Sequence, residues 1–132
     1  MSSEEHSTES NEGMYFFDTY ALVEIYEGNA SYAKFADKSF FITKLNLFEL
    51  HQYMLRTSRE SFADSEFEKY VLHAYEFSME VVKEASKFRK QHKGKNLSMT
   101  DCIGYILAKE KGLVFLTGDC MFEGLENVKF VK

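Results

Sequence analysis

Four short runs of mainly apolar residues interrupt this chain. They occupy 14–17, 39–43, 113–117 and 128–131. Continuous apolar character over so few residues is typical of strands that are covered on both faces. We therefore predict four strands, of which the one at 113–117 has the clearest pattern.

The segments between these runs have the three- and four-residue apolar spacing of amphipathic helices. The clearest is 78–92, where Val81, Ala85 and Phe88 fall on one face. Asn46 can cap another helix, because its side chain can accept hydrogen bonds from free backbone N–H groups. The other predicted helices cover 19–27, 29–38, 47–56, 60–76 and 99–111.

Strands and helices alternate along the chain in the order expected of an α/β protein with a parallel sheet. Ligands of such sheets bind beyond the carboxyl ends of the strands. Residues that directly follow a predicted strand are therefore the first candidates for a functional site.

The first 13 residues, MSSEEHSTESNEG, lack any apolar pattern, and we expect them to form a disordered tail before a single domain at 14–132. The chain has 21 Asp and Glu against 16 Lys and Arg, and four of the acids lie in this tail, which leaves 17 acids and 16 bases in the domain. Such a balance is compatible with a polyanionic partner but does not demand one.

We expect no signal peptide, because the first residues are acidic and lack an apolar stretch, and no apolar run approaches the ~20 residues of a membrane span. A soluble cytoplasmic protein is therefore expected. The two cysteines, Cys102 and Cys120, lack the spacing of a zinc site. We interpret both as small core residues in a reducing compartment, with a single disulfide between them left open.

Four acidic residues stand where a predicted strand ends or a predicted helix begins: Asp18, Glu49, Asp101 and Asp119. Each one alone has an ordinary structural explanation. Asp18 fits a helix N-cap, and the fourth acid fits a turn after Gly118. The spacings Asn46-x-x-Glu49 and Ser98-x-x-Asp101 both resemble capping boxes.

Together, the four acids favour a different explanation. A parallel sheet gathers its strand ends at one edge, so these side chains could meet there. Two unit charges about 4 Å apart repel by roughly 4 kcal/mol at an effective dielectric near 20. Converging carboxylates therefore need protons or cations, and Mg²⁺ and Mn²⁺ prefer such oxygen ligands. This predicts a metal site suited to phosphoryl transfer, with nucleic-acid hydrolysis as the first candidate.

The sequence around these acids resembles that of PIN-domain ribonucleases, close to the toxins of VapC-type toxin–antitoxin pairs. The resemblance covers 14–132 and departs from the family at Asn46, where Thr or Ser is often found; all three can cap a helix. The matching stretches are FFDTYAL at 16–22, ITKLNLFEL at 42–50, LSMTDCI at 97–103 and GLVFLTGD at 112–119.

This resemblance implies a three-layer α/β/α fold with a central parallel sheet of four or five strands. It also implies an endoribonuclease whose acidic quartet, Asp18, Glu49, Asp101 and Asp119, holds one or two Mg²⁺ or Mn²⁺ ions. Asp18 and Asp101 are expected to ligate directly, and Thr117 or Thr19 to orient a water or a carboxylate. An RNA substrate, an antitoxin partner and a homodimer are further implications.

Other functions stay open at this point. A non-catalytic PIN-like module that binds RNA or protein, or a housekeeping RNA-processing nuclease, would show the same motifs. A phosphoacceptor receiver domain would need paired acids after the first strand. An aspartate-nucleophile phosphatase would need Asp-x-Asp there, and this chain has Tyr20 at the second of those positions.

Two further segments have no assigned role. The stretch Lys83 to Lys95 carries six bases against one acid, Glu84. It is either a solvated helix face or a rim that contacts phosphates. The stretch 57–76 matches no motif, and we expect a variable helical clip there.

Overall fold

The sheet consists of four parallel strands in the order β2–β1–β3–β4. The computed structural model describes residues 14–132, so the predicted disordered tail lies outside the described residues. In the first strand, Phe16 is in register with Phe41 on one side and Phe115 on the other. The strands are β1 (Tyr15–Phe17), β2 (Phe40–Phe41), β3 (Val114–Thr117) and β4 (Val128–Phe130).

Five α-helices and two short 3-10 helices connect the strands. The α-helices are α1 (Thr19–Tyr26), α2 (Lys44–Thr57), α3 (Glu60–Val71), α4 (Met79–Gln91) and α5 (Met99–Glu110). The 3-10 helices are Ala30–Phe35, where a second helix was predicted at 29–38, and Cys120–Phe122.

The helix predicted at 60–76 ends early, at Val71. The backbone that follows pairs with Ile42 at the edge of the sheet. The Ile42 N–H donates to the His73 carbonyl, at 3.0 Å, and the Tyr75 N–H donates to the Ile42 carbonyl, at 2.8 Å. These bonds satisfy backbone groups that a longer helix would have paired internally.

Helix α2 begins three residues earlier than predicted, and Thr43 is its N-cap. The Thr43 hydroxyl accepts from the Leu45 and Asn46 N–H groups, and the Thr43 N–H donates to Asn46 Oδ1 at 2.9 Å. The predicted N-cap at Asn46 and the capping box Asn46-x-x-Glu49 are therefore wrong. The reason is that β2 stops at Phe41, which leaves room for almost one more turn of helix.

Apolar side chains pack on both faces of the sheet and give the predicted three layers. Phe16 and Phe115 stack at 5.6 Å and face α4 and α5, whereas Phe17 and Leu116 face α1 and α2. Neighbouring strand residues alternate between the two faces. Gly104 lets α5 approach closely, since a Cβ there would lie 2.9 Å from Phe16 Cε1.

The two cysteines have different environments, and both thiols are free. Cys102 is buried against α4, as predicted, and burial raises the pKa of its thiol to about 11. Cys120 is exposed in the second 3-10 helix, so its prediction as a core residue was wrong. None of the helices in 14–132 has the length and apolar character needed to cross a membrane.

Candidate metal and catalytic site

Asp18 follows β1 directly and is the N-cap of α1. Its side chain is buried, with 3% of its surface exposed. Its Oδ1 accepts from the Thr19 N–H at 2.9 Å, and its Oδ2 accepts from the Thr117 hydroxyl of β3 at 2.7 Å. Hydrogen bonds from two elements therefore fix both oxygens of this carboxylate.

Asp119 lies two residues beyond β3, in the turn Thr117–Gly118–Asp119. The Asp119 N–H donates to Thr117 Oγ1, and Asp119 Oδ1 accepts from the Met121 N–H, both at 3.0 Å. A Cβ on Gly118 would overlap the Tyr20 ring and lie 2.5 Å from the Val131 carbonyl oxygen. The turn that brings Asp119 over the sheet edge therefore requires a glycine.

Asp101 is the third residue of α5 and forms the predicted capping box with Ser98. Its Oδ2 accepts from the Ser98 N–H at 2.8 Å, and the Asp101 N–H donates to Ser98 Oγ at 3.1 Å. The side chain is half-buried. Asp101 therefore has the predicted capping role, and its charge also raises the pKa of the buried Asp18.

Glu49 lies about a turn and a half into α2 and is half-buried. Its Oε1 accepts from the Thr19 hydroxyl at 2.7 Å. The same hydroxyl oxygen accepts from Asn46 Nδ2 at 3.0 Å. Because a hydroxyl has one proton, the Asn46 bond directs the Thr19 proton toward Glu49.

Asn46 and Thr43 are functional candidates that the sequence did not reveal in this role. Asn46 Oδ1 accepts from both the N–H and the hydroxyl of Thr43, each at 2.9 Å. Both residues are buried. The available signal was the departure from the family at Asn46, whose amide carries its acceptor oxygen and its donor nitrogen on separate atoms.

The charges of the four carboxylates act on one another. Burial first, and then the charges of Asp101 and Asp119, raise the pKa of Asp18 to about 7, against hydrogen bonds from Thr117 and Thr19. Burial also raises the pKa of Asp101, with smaller contributions from Asp119 and Glu49, against its hydrogen bonds to Ser98. Within 14–132 no lysine or arginine forms an ion pair with any of the four acids.

The donor set fits a hard divalent cation, although it is not arranged as a finished metal site. Among the described residues, no three His, Cys, Asp or Glu side chains are placed so that together they could hold a metal ion. Each carboxylate is instead held by its own hydrogen bonds. Three oxygens have no protein hydrogen-bond partner in this part of the chain: Glu49 Oε2, Asp101 Oδ1 and Asp119 Oδ2. Oxygen-only donors with uncompensated negative charge suit Mg²⁺ or Mn²⁺, once side chains rotate toward the ion.

A family model for the PIN domain matches residues 15–127. The chain belongs to the PIN domain family. The match covers all four acids and all five α-helices. No curated protein sequence matched this chain.

Solved structures that share this fold include two toxin–antitoxin complexes. A toxin–antitoxin complex from Klebsiella pneumoniae aligns with a TM-score of 0.71 and 17% identity, over 87% of this chain and 95% of that chain. VapBC2 from Rickettsia felis, bound to a DNA fragment from its promoter, aligns with a TM-score of 0.66 and 14% identity, over 90% of this chain and 99% of that chain. Both confirm the predicted three-layer α/β/α fold.

Proposed function

We propose that this PIN domain is a divalent-metal-dependent endoribonuclease. The observation that carries the proposal is the set of four carboxylates, from four different elements, whose charges act on one another at the carboxyl edge of the sheet with no basic ion-pair partner in residues 14–132. The raised pKa of Asp18, about 7, means that its ionised form destabilises the metal-free fold. A bound cation that contacts a phosphodiester would offset this destabilisation.

In this proposal Asp18, Asp101, Asp119 and Glu49 hold one or two Mg²⁺ or Mn²⁺ ions. The bound ion would acidify a water molecule and offset the charge that develops on the phosphate. Thr117 holds the Asp18 carboxylate in a single orientation through its hydroxyl. Thr19 does the same for Glu49.

The proposal is tested by incubating purified protein with a mixture of RNAs in Mg²⁺ or Mn²⁺, with EDTA as the control. We expect cleavage that EDTA abolishes and that Asp101→Asn and Asp18→Asn each reduce by at least about a hundredfold. Asn retains an oxygen that can accept the capping bonds, so both variants should fold. Asp37→Asn, at an exposed acid outside the quartet, is the matched control. Full cleavage by both site variants would refute the assignment.

We propose further that the enzyme is a toxin held inactive by an antitoxin in the cytoplasm. The two structural neighbours are toxin–antitoxin complexes by description. In this chain, large apolar side chains stand exposed next to two of the acids: Phe48, with 66% of its surface accessible, precedes Glu49, and Met99, with 60%, lies two positions before Asp101. A protein that covers both would block the acidic cleft.

Co-expression with the product of an adjacent gene tests this role. We expect the partner to co-purify with the enzyme, to suppress cleavage, and to bind less tightly to Phe48→Ser. Growth unaffected by expression of the active enzyme alone would favour a housekeeping nuclease. A homodimer is part of the same proposal, and sedimentation of the purified protein measures it directly.

A further inference from the structure

A basic depression lies beside the acidic site, where α4 ends and α5 begins. It is open to solvent and has a volume of about 490 Å³, and no Asp or Glu of the described part of the chain lines it. We call it the basic cradle, after the four cations in its lining: Arg89, Lys90, Lys93 and Lys95.

The basic segment predicted from the sequence divides into two parts in the structure. Lys83 and Lys87 lie on α4 one turn from Glu80 and Glu84, and form ion pairs with them at 3.0 and 3.4 Å. Lys90 and Lys93 are exposed and form no ion pair with any carboxylate in the described chain. The uncompensated positive charge is therefore concentrated in the cradle.

Hydrogen bonds from two cradle side chains to backbone carbonyls connect the cradle to the acidic site. Arg89 Nε donates to the Leu97 carbonyl at 3.0 Å, and Leu97 immediately precedes the Ser98 cap of Asp101. Lys95 Nζ donates to the Met121 carbonyl at 2.9 Å, and the Met121 N–H donates to Asp119 Oδ1 at 3.0 Å. The cradle thus adjoins the part of the site that carries Asp101 and Asp119.

We propose that the basic cradle binds backbone phosphates of a single-stranded RNA next to the phosphate at the acidic site, chiefly through Lys90 and Lys93. This inference rests on the proposed function and explains how a negatively charged RNA is attracted to the protein. Four carboxylates repel a polyanion, so a nearby surface of opposite charge is needed to bring the strand in. An open, mainly polar depression suits a backbone that passes over it, and a flexible single strand can bend from there into the acidic site.

The test compares two double variants with equal loss of charge on the same segment: Lys90→Gln with Lys93→Gln, and Lys83→Gln with Lys87→Gln as the control. Binding of a fluorescein-labelled random RNA of about 20 nucleotides is measured in Mg²⁺, in the Asp101→Asn background, over a series of KCl concentrations. For the cradle variant we expect the Kd to rise about tenfold. The negative slope of log affinity against log salt should become shallower by about 1.4, because each of the two lost phosphate contacts contributes about 0.7. The control should change by less than about twofold. Equal shifts in both variants, or no shift in either, would overturn the cradle.

Cleavage assays separate this result from the proposed function. If the chain with Asp101 intact cleaves RNA with metal while the salt slope of the cradle variant is unchanged, the nuclease stands and the cradle is rejected. If no RNA is cleaved but the cradle variant alone loses binding, the cradle stands and the nuclease fails. Polyglutamate binding is measured with the same variants. If the cradle variant loses polyglutamate binding but keeps RNA binding, the cradle binds an acidic protein and the proposal is rejected.

Discussion

The Asp18 carboxyl group is the most buried member of the site, and its charge has no basic partner in residues 14–132. Two hydrogen bonds stabilise the ionised form, yet burial and the neighbouring charges outweigh them and raise the pKa to about 7. The ionised Asp18 therefore lowers the free energy of unfolding as long as no cation is bound.

The stability of the metal-free protein should depend on this group. A pKa raised from 3.8 to about 7 means that the folded protein retains a proton that the unfolded chain has already released. Stability therefore falls as pH rises from about 4 to about 7, by up to roughly 4 kcal/mol, and stays low above that range. Asp18→Asn should remove this penalty and stabilise the metal-free protein at pH about 8, with little gain near pH 4.

Urea unfolding in EDTA across this pH range measures the effect. Asp37→Asn, at an exposed position, should follow the wild-type curve. A wild-type stability that is flat between about pH 4 and pH 7, or that rises there, would contradict the assigned sign.

The hydrogen bonds around Thr19 give a second prediction for a single residue. Asn46→Asp preserves size and can still accept from Thr43, but its carboxylate cannot donate to Thr19. The Thr19 proton should then turn away from Glu49, and activity at limiting Mg²⁺ should fall by about 10- to 100-fold, as is typical for residues that orient metal ligands. Asn46→Thr retains a hydroxyl donor and should keep activity within a few-fold.

The Mg²⁺ concentration at half-maximal cleavage separates orientation of Glu49 from simple loss of fold. It should rise in Asn46→Asp more than in Asn46→Thr, even though both variants alter the Thr43 contacts. The same Mg²⁺ dependence in the two variants would mean that Asn46 contributes only to folding.

At the scale of elements, the turn after β3 is the part of the site that least tolerates an added side-chain atom. Gly118→Ala would place a methyl group 2.5 Å from the Val131 carbonyl oxygen, and that backbone is held by a 2.9 Å bond from its N–H to Thr117. We expect a loss of about 1–3 kcal/mol, typical of overpacking, measured by urea unfolding. Gly94→Ala, with no atom within 4 Å of the added Cβ, is the control and should be neutral. Equal stability of the two variants would show that the turn can relax.

Elements whose signals are local were predictable from the sequence. The strand Val114–Thr117, the helix Met79–Gln91 and the Ser98–Asp101 capping box follow from apolar runs and cap residues only a few positions apart. The early start of α2 was missed because a Thr cap after a two-residue strand looks like the end of a longer strand. The four acids were found in the same way, as residues at strand ends and helix starts.

Contacts between distant segments were predictable only in part: the family resemblance implied that Thr117 or Thr19 orients a water or a carboxylate, but not which carboxylate each one binds. Asn46 bonds to Thr19, 27 positions earlier, and Thr117 bonds to Asp18, 99 positions earlier. The backbone after α3 bonds to Ile42 rather than continuing the helix. Only the packed fold brings these partners together, so a sequence can suggest which residues are polar but not which hydrogen bond each one makes.

At the scale of the whole molecule, the site joins the layers on the two sides of the sheet. Asp101 lies on α5, which packs on one face, and Glu49 lies on α2, which packs on the other. Asp18 and Asp119 follow the two central strands between them. A cation that these four side chains share would therefore cross-link all three layers, and metal binding should stabilise the fold as a unit.

Thermal unfolding measures this coupling. A ligand that binds only the folded state at about ten times its Kd stabilises it by about 1.4 kcal/mol, which for a domain of this size raises the Tm by a few degrees. We expect such a rise in Mg²⁺ or Mn²⁺ at pH about 8, relative to NaCl of equal ionic strength. It should be largely absent from an Asp101→Asn, Asp119→Asn double variant, whose Tm in EDTA should be no lower than that of the wild type, because carboxylate repulsion has been relieved. If the double variant gains as much from Mg²⁺ as the wild type does, the cation acts by general screening, and these carboxylates do not bind it.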